Sequence, residues 1–267
     1  MFSVNEAELS ILLVEPSSTQ LKIIMRQLQQ AGVNKIDGVE SGAEALDIIQ
    51  KYPPDLVISA MYLPDMTAAD LLLQIRNDEQ HQNCNFMLIS SETDFNTLEP
   101  LRQAGVVAIL PKPFAPVDLQ RALRTTLDFL DPQELTLESY DAANLRVLLV
   151  DDSLTARNHI GRVLQDLGIG YVAKAESGDA AINLLQEDDF DLVITDLNMP
   201  GMDGQALTQY IRNELGNSFI PVLMVTSEQN ETRLGQVQQA GISALLDKPF
   251  EPQSIRETLH RVLDESI

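Results

Sequence analysis

Val147-Leu-Leu-Val-Asp-Asp-Ser153 is a run of four apolar residues closed by two carboxylates and a hydroxyl, and its like occurs 136 residues earlier as Ile11-Leu-Leu-Val-Glu-Pro-Ser17. The same offset lays Glu40-Ser-Gly42 on Glu176-Ser-Gly178 and Asp55-Leu-Val-Ile-Ser-Ala60 on Asp191-Leu-Val-Ile-Thr-Asp196. It also lays Ala104-Gly105 on Ala240-Gly241 and Lys112-Pro-Phe114 on Lys248-Pro-Phe250, without a gap anywhere. About a third of the aligned positions are identical over roughly 120 residues, so the period is domain-sized and far longer than a solenoid unit. The 267 residues therefore read as two copies of one domain, 9–131 and 145–267. Between them, 132–144 is mostly polar, matches neither copy, and is expected to be a linker that opens as a helical extension.

Within each copy, apolar runs of four or five residues alternate with segments of helical period. In the second copy the strands are expected near 146–150, 171–174, 191–195, 221–225 and 243–246, and the helices near 154–167, 178–187, 204–214, 230–239 and 252–264. The first copy follows 136 lower. Five short buried strands, each followed by an amphipathic helix, specify an α/β domain with a doubly wound parallel sheet covered on both faces. Ser153, Ser177 and Asp203 stand where helix N-caps are wanted, and Gly168 stands as a helix stop. Pro100 falls inside the fourth helix of the first copy, where it should shorten or kink that element.

Composition removes several classes of function. Forty acidic against eighteen basic residues give a net charge of −22, spread over both copies, which repels nucleic-acid phosphates and anionic lipid. Nucleic acid and membrane surfaces are not expected partners. A single cysteine, Cys84, excludes an intramolecular disulfide, and with three scattered histidines it leaves carboxylates as the metal ligands to consider. With no basic leader and no apolar run long enough to cross a bilayer, a cytoplasmic chain is expected.

Ligands of a doubly wound sheet sit beyond the carboxyl ends of its strands. In the second copy those ends carry Asp151-Asp152, Asp196, Thr226 and Lys248, so three carboxylates, a hydroxyl and an ammonium converge. Hard oxygen ligands suit Mg²⁺ sharing its site with a phosphoryl group, and acids clustered without a cation would repel one another and raise a pKa. The motifs Asp151-Asp152, Thr195-Asp-Leu-Asn-Met-Pro-Gly-Met-Asp-Gly204, Thr226-Ser227 and Lys248-Pro249-Phe250 together resemble the receiver domain of two-component response regulators, whose fold is flavodoxin-like with strand order 2-1-3-4-5. The resemblance implies that Asp196 accepts a phosphoryl group from a histidine kinase or a histidine phosphotransfer protein. It implies that Asp152, Asp196 and the main-chain carbonyl of Asn198 hold Mg²⁺, with Asp151 acting through water, and that Lys248 and Thr226 bind phosphoryl oxygens. It also implies a cis Lys248-Pro249 bond, a downstream protein target and a surface suited to homodimer formation. The family often has an aromatic switch three residues before the lysine; Leu245 stands there, so loop and helix movement is expected to carry the signal. Glu228 and Asn198 flank the site, either to orient water or as solvated loop residues.

In the first copy Asp151 becomes Glu15, Asp152 becomes Pro16 and Asp196 becomes Ala60, while Thr226 is represented by Ser90 and Lys248 by Lys112. This copy resembles a pseudo-receiver without an acceptor, in which neighbouring Ser59, Asp65 and Glu15 are candidate sources of substitute oxygens. Two other readings compete. A Mg²⁺-dependent phosphatase with an aspartyl nucleophile is one, but those enzymes place an Asp-x-Asp at the first strand, a spacing Asp151-Asp152-Ser153 lacks. A nucleotide- or flavin-binding domain is the other, but no glycine-rich loop follows either first strand. The chain is therefore expected to act as a phosphoacceptor signalling protein and not as a conventional enzyme. It ends about where the last helix should end, which leaves a stand-alone protein, a phosphate sink in a relay, or a fragment of a longer protein as the expectations.

Overall fold

The computed structural model describes residues 5–215, 219–249 and 251–264, and they divide into two compact units, 1–132 and 133–267. Phe250 of the Lys-Pro-Phe motif and the last three residues of the second copy lie outside the described residues.

The first unit runs β1 (Ser10–Val14), α1 (Ser18–Gln30), β2 (Lys35–Val39), α2 (Gly42–Lys51), β3 (Leu56–Ser59), α3 (Ala68–Asn77), β4 (Asn85–Ser90), α4 (Phe95–Gln103), β5 (Ala108–Pro111) and α5 (Pro116–Leu130). The second runs β6 (Arg146–Val150), α6 (Leu154–Asp166), β7 (Tyr171–Ala175), α7 (Gly178–Glu187), β8 (Leu192–Asp196), α8 (Gly204–Asn213), β9 (Val222–Thr226), α9 (Glu231–Gln239), β10 (Ala244–Asp247) and α10 (Pro252–Asp264). Each forms one five-stranded sheet, ordered β2-β1-β3-β4-β5 and β7-β6-β8-β9-β10, with every pairing parallel. This is the doubly wound, flavodoxin-like order the sequence implied.

The central strands β3, β4, β8 and β9 are buried at every residue, as strands covered on both faces must be. The edges depart from the expectation of five buried strands. β2 (KIDGV) and β7 (YVAKA) are each buried at only one residue, because an edge exposes one side of its ladder, and Lys35, Asp37 and Lys174 discourage further strand pairing there. Ser153, Ser177 and Asp203 cap α6, α7 and α8 by accepting the backbone N–H of Ala156, Ala180 and Ala206, and Gly168 follows α6 with φ +93°. Pro100 does not shorten α4: nine residues are helical there, as in its counterpart α9. Asp94 caps its first turn and the buried Leu98 and Leu101 fasten its inner face.

The expected helical start of the linker is absent, since α5 ends at Leu130. Residues 133–144 form instead a strap on the second unit. Leu135 is buried and its N–H donates to the Leu167 carbonyl, the N–H groups of Glu138 and Ser139 donate to the Asp264 carboxylate at 3.0–3.1 Å, and Arg256 donates to the Gln133 carbonyl. The donors from Glu138 and then Ser139 hold the Asp264 carboxyl below the usual carboxylate range.

Candidate functional site

Register decides which side chains meet. In the second sheet Val150 lies beside Thr195, Asp196 beside Val225 and Thr226 beside Asp247. The residues that leave the strands at their carboxyl ends are therefore neighbours across the sheet, although they are far apart in sequence. Asp151, Asp152 and Asp196 each offer a carboxylate oxygen within 4.8 Å of the others. Lys248 enters from the β10–α10 turn, where its bond to Pro249 is cis and its N–H donates to the Thr226 carbonyl.

Lys248 Nζ lies 2.8 Å from Asp151 Oδ2 and 3.3 Å from Asp196 Oδ1. Asp151, Asp196, Thr226 and Lys248 are all buried, whereas Asp152 and Asn198 are exposed at the mouth. Burial pushes the Asp196 carboxyl up to about 6, against the pull of Lys248 and with a further push from Asp151. Burial pulls the Lys248 ammonium down, but Asp151 and then Asp196 more than offset it and hold it above its ordinary value. Apart from the Lys248 ammonium near Oδ1, neither carboxylate oxygen of Asp196 meets a donor in good hydrogen-bond geometry. A buried carboxylate left that way is costly unless something supplies positive charge. Three clustered carboxylates with no nitrogen or sulfur donor among them therefore fit a hard divalent cation.

Supporting contacts fix the loops. Asp151 Oδ1 accepts the Ser153 N–H at 2.9 Å, and the Asp196 carbonyl accepts the Thr195 hydroxyl at 2.9 Å. Gly204 closes the β8–α8 loop so tightly that a Cβ there would lie 2.2 Å from the Asp196 carbonyl oxygen. The Thr226 hydroxyl accepts the Glu228 N–H at 3.1 Å. Glu228 does not face the carboxylates with a free oxygen: Oε1 accepts the N–H groups of Gln229 and Asn230, and Oε2 pairs with Arg233 at 3.2 Å. The N–H of Asn230 and burial's smaller opposing effect leave its carboxyl below the usual range.

Two residues of this neighbourhood escaped the sequence reading. Gly204 was quoted only as the end of a motif, and its signal was a glycine opposite Ala68. Arg157, buried on α6, donates from Nη1 to the Asp151 carbonyl; its signal was an arginine among the buried Ala156, Ile160 and Val163.

The first unit keeps the frame and not the cluster. Glu15 Oε2 pairs with Lys112 Nζ at 2.8 Å and Oε1 accepts the Ser17 N–H at 3.1 Å, reproducing the two side-chain contacts of Asp151. Ala60 and Pro16 add no oxygen from their side chains. Asp65 is engaged elsewhere, accepting the N–H groups of Gly42 and Ala43 at the start of α2, and the Ser59 hydroxyl donates to the Ala60 carbonyl. Across the mouth, the Tyr62 hydroxyl donates to Glu92 at 2.9 Å. The Lys112-Pro113 bond is cis as well.

The response regulator receiver domain family matches the chain twice, over residues 11–124 and 147–260, and the chain belongs to that family, with two receiver domains in tandem. Chemotaxis protein CheY-3 of Vibrio cholerae is 36% identical over 121 residues, covering 45% of this chain and 93% of that protein. Chemotaxis protein CheY of Pseudomonas aeruginosa is 36% identical over 120 residues, covering 45% of this chain and 97% of that protein. Among solved structures, the chemotaxis protein CheY4 of Vibrio cholerae aligns at 36% identity with a TM-score of 0.42, covering 45% of this chain and 98% of that one. The chain is thus a protein of two-component signalling. Among the described residues no helix is long and apolar enough to cross a membrane.

Proposed function

We propose that the second domain is the phosphoacceptor of this chain and the first an acceptor-less adaptor, acting in the cytoplasm. The carrying observation is Asp196: buried, with only the Lys248 ammonium beside Oδ1 and no donor in good hydrogen-bond geometry, and set beside Asp151 and Asp152. Asp152, Asp196 and the Asn198 carbonyl would hold Mg²⁺, with Asp151 behind them; when bound, the ion supplies charge neutralisation for a transferring phosphoryl group. The chain's own residues do the rest. The Asp196 carboxylate attacks the phosphorus of a phosphohistidine on a kinase or phosphotransfer protein, the phosphorus–nitrogen bond breaks, and the imidazole leaves with its electron pair. Lys248, already beside Asp151 and Asp196, matches the negative charge that arrives, and the Thr226 hydroxyl donates to a phosphoryl oxygen. The change is then read by a protein target or a second copy.

Incubation of the full chain with a small acyl phosphate and Mg²⁺, followed by mapping of the acyl-phosphate adduct, tests this reading. One phosphoryl group per chain, on Asp196 and lost in Asp196→Ala, is expected. Two groups per chain, or full labelling of Asp196→Ala, would overturn it.

A further inference from the structure

Besides its own N–H, which donates to the Ala175 carbonyl as that of Glu15 does to Val39, Asp151 is held at three points. Its carboxylate takes Ser153 N–H and Lys248 Nζ, and its main-chain carbonyl takes Arg157 Nη1. Glu15, at the same place in the first domain, is held at only two of these, by Ser17 N–H and Lys112 Nζ; the residue matching Arg157 is Leu21. The arginine is therefore not needed to build the buried ion pair. It accompanies what the first domain lacks.

The exchange extends to its neighbours. In the first domain Leu21 and Met25 on α1 lie over Gly38 of β2, where a Cβ would be 3.1 Å from Leu21 Cδ1 and 3.3 Å from Met25 Sδ. In the second domain the pattern is reversed. Gly161 on α6 leaves room for Lys174 of β7, and a Cβ at Gly161 would lie 2.8 Å from Lys174 Cε. Lys174 Nζ donates to Asn158 Oδ1 at 3.1 Å, and burial together with the charge of Arg157 holds its ammonium below the usual value. One patch of helix-on-sheet packing is thus solved twice: large apolar on the helix with glycine on the strand, or arginine and glycine on the helix with lysine on the strand. The cationic solution occurs with Asp151, Asp152 and Asp196, and the apolar one with Glu15, Pro16 and Ala60.

We infer that Arg157 is a positioning residue for the cation site: by holding the Asp151 carbonyl it fixes the β6–α6 turn so that Asp151 and Asp152 face Asp196 before the ion arrives, with Gly161 and Lys174 as its accommodation. The inference rests on the Mg²⁺ phosphoacceptor reading. Second-layer contacts to metal ligands are commonly worth ten- to hundredfold in affinity.

The test uses the full chain in three forms: wild type, the triple Arg157→Leu/Gly161→Met/Lys174→Gly, which imports the first domain's packing, and Arg157→Met, which keeps the stem and removes the donor. Calorimetric Mg²⁺ titration, the ¹⁹F spectrum of the beryllofluoride adduct, thermal unfolding, and hydrogen exchange at residues 152–154 in EDTA are measured for each. Expected are one Mg²⁺ on wild type, an affinity about tenfold or more weaker in both variants, faster exchange at 152–154 without metal, and an unfolding temperature for the triple close to wild type. Absence of Mg²⁺ binding to wild type would overturn the phosphoacceptor reading itself. Binding to wild type with equal affinity in a folded variant would overturn the role of Arg157; should the triple not fold, Arg157→Met decides.

Discussion

Replacing Asp196 by asparagine should stabilise the second domain in the absence of metal, and by an amount that depends on pH. The folded domain raises this carboxyl from an ordinary 3.8 to about 6, so the folded state binds the proton more tightly than the unfolded chain does. Where the folded state holds more protons, stability falls as pH rises. The loss begins near pH 4 and is complete a little above pH 6. At ~1.36 kcal/mol per pKa unit, the shift amounts to roughly 3 kcal/mol, which the neutral amide escapes. In EDTA, Asp196→Asn should therefore exceed wild type by roughly 3 kcal/mol at pH 8 and converge with it below pH 4. Urea-dependent hydrogen exchange on peptides from β8 reports the second domain without interference from the first. Mg²⁺ should narrow the gap from the other side, since a free concentration tenfold above its dissociation constant stabilises wild type by about 1.4 kcal/mol. An asparagine variant less stable than wild type at every pH, or a difference that does not change with pH, would refute the reasoning: Asp196 would then be satisfied by the fold and not held in wait for a cation.

Lys248→Ala should cost the metal-free second domain about 3–5 kcal/mol at pH 8, because it strands Asp151 and Asp196 in the interior, whereas Lys112→Ala should cost the first domain less, its side chain being 27% exposed; denaturant midpoints of the two variants settle the comparison. Gly204→Ala places a Cβ 2.2 Å from the Asp196 carbonyl oxygen and should destabilise by more than about 2 kcal/mol, with loss of Mg²⁺ binding; a wild-type thermal transition would show that the loop yields freely. Asp264→Ala removes the acceptor of the Glu138 and Ser139 N–H groups, so amide exchange at 138–139 should accelerate while β8 stays protected, and unchanged exchange would mean that the strap's other contacts, through Gln133, Leu135 and Ala142, suffice to hold it. Beryllofluoride with Mg²⁺ should alter exchange protection across 226–260, and identical protection would leave the site without a readable output.

What was legible in the sequence was whatever rests on period and position. Buried parallel strands are nearly continuous apolar runs, and β6, β8 and β9 declared themselves as such; Asp151, Asp196 and Thr226 lie immediately beyond or at the ends of those runs, and Lys248 just past the edge strand β10, where a doubly wound sheet collects its ligands. Asp196 proved to be the last residue of β8 and not the first of the loop, a shift of one that leaves its place at the sheet's end unchanged. The edges were misread because β2 and β7 alternate too weakly to show which side is covered. The strap was misread because its hold on the second domain is mostly main-chain: the N–H groups of Leu135, Glu138 and Ser139 carry no sequence signature, and its buried apolar anchors are just Leu135 and the small Ala142.

Duplication separates two roles that a single receiver domain would confound. Glu15 is one methylene longer than Asp151, yet it meets the equivalent lysine at the same 2.8 Å and the equivalent serine N–H at 3.1 Å instead of 2.9 Å. The acid–lysine pair thus survives the loss of both other carboxylates, which assigns it a structural share: it ties the β5–α5 turn to the first strand in one domain, where Lys112 is part-exposed, and the β10–α10 turn to β6 in the other, where Lys248 is buried. On the proposed reading, charge supply to a phosphoryl group is a second use of the same lysine, available only where Asp196 stands beside it. The first domain keeps its turns without the other two carboxylates, while in the second Asp196 joins Asp151 and Asp152 around one lysine, an imbalance that Mg²⁺ would correct on the proposed reading. Under that proposal, stability in the first domain is independent of divalent metal, and in the second it is coupled to the ion that would assist phosphoryl transfer.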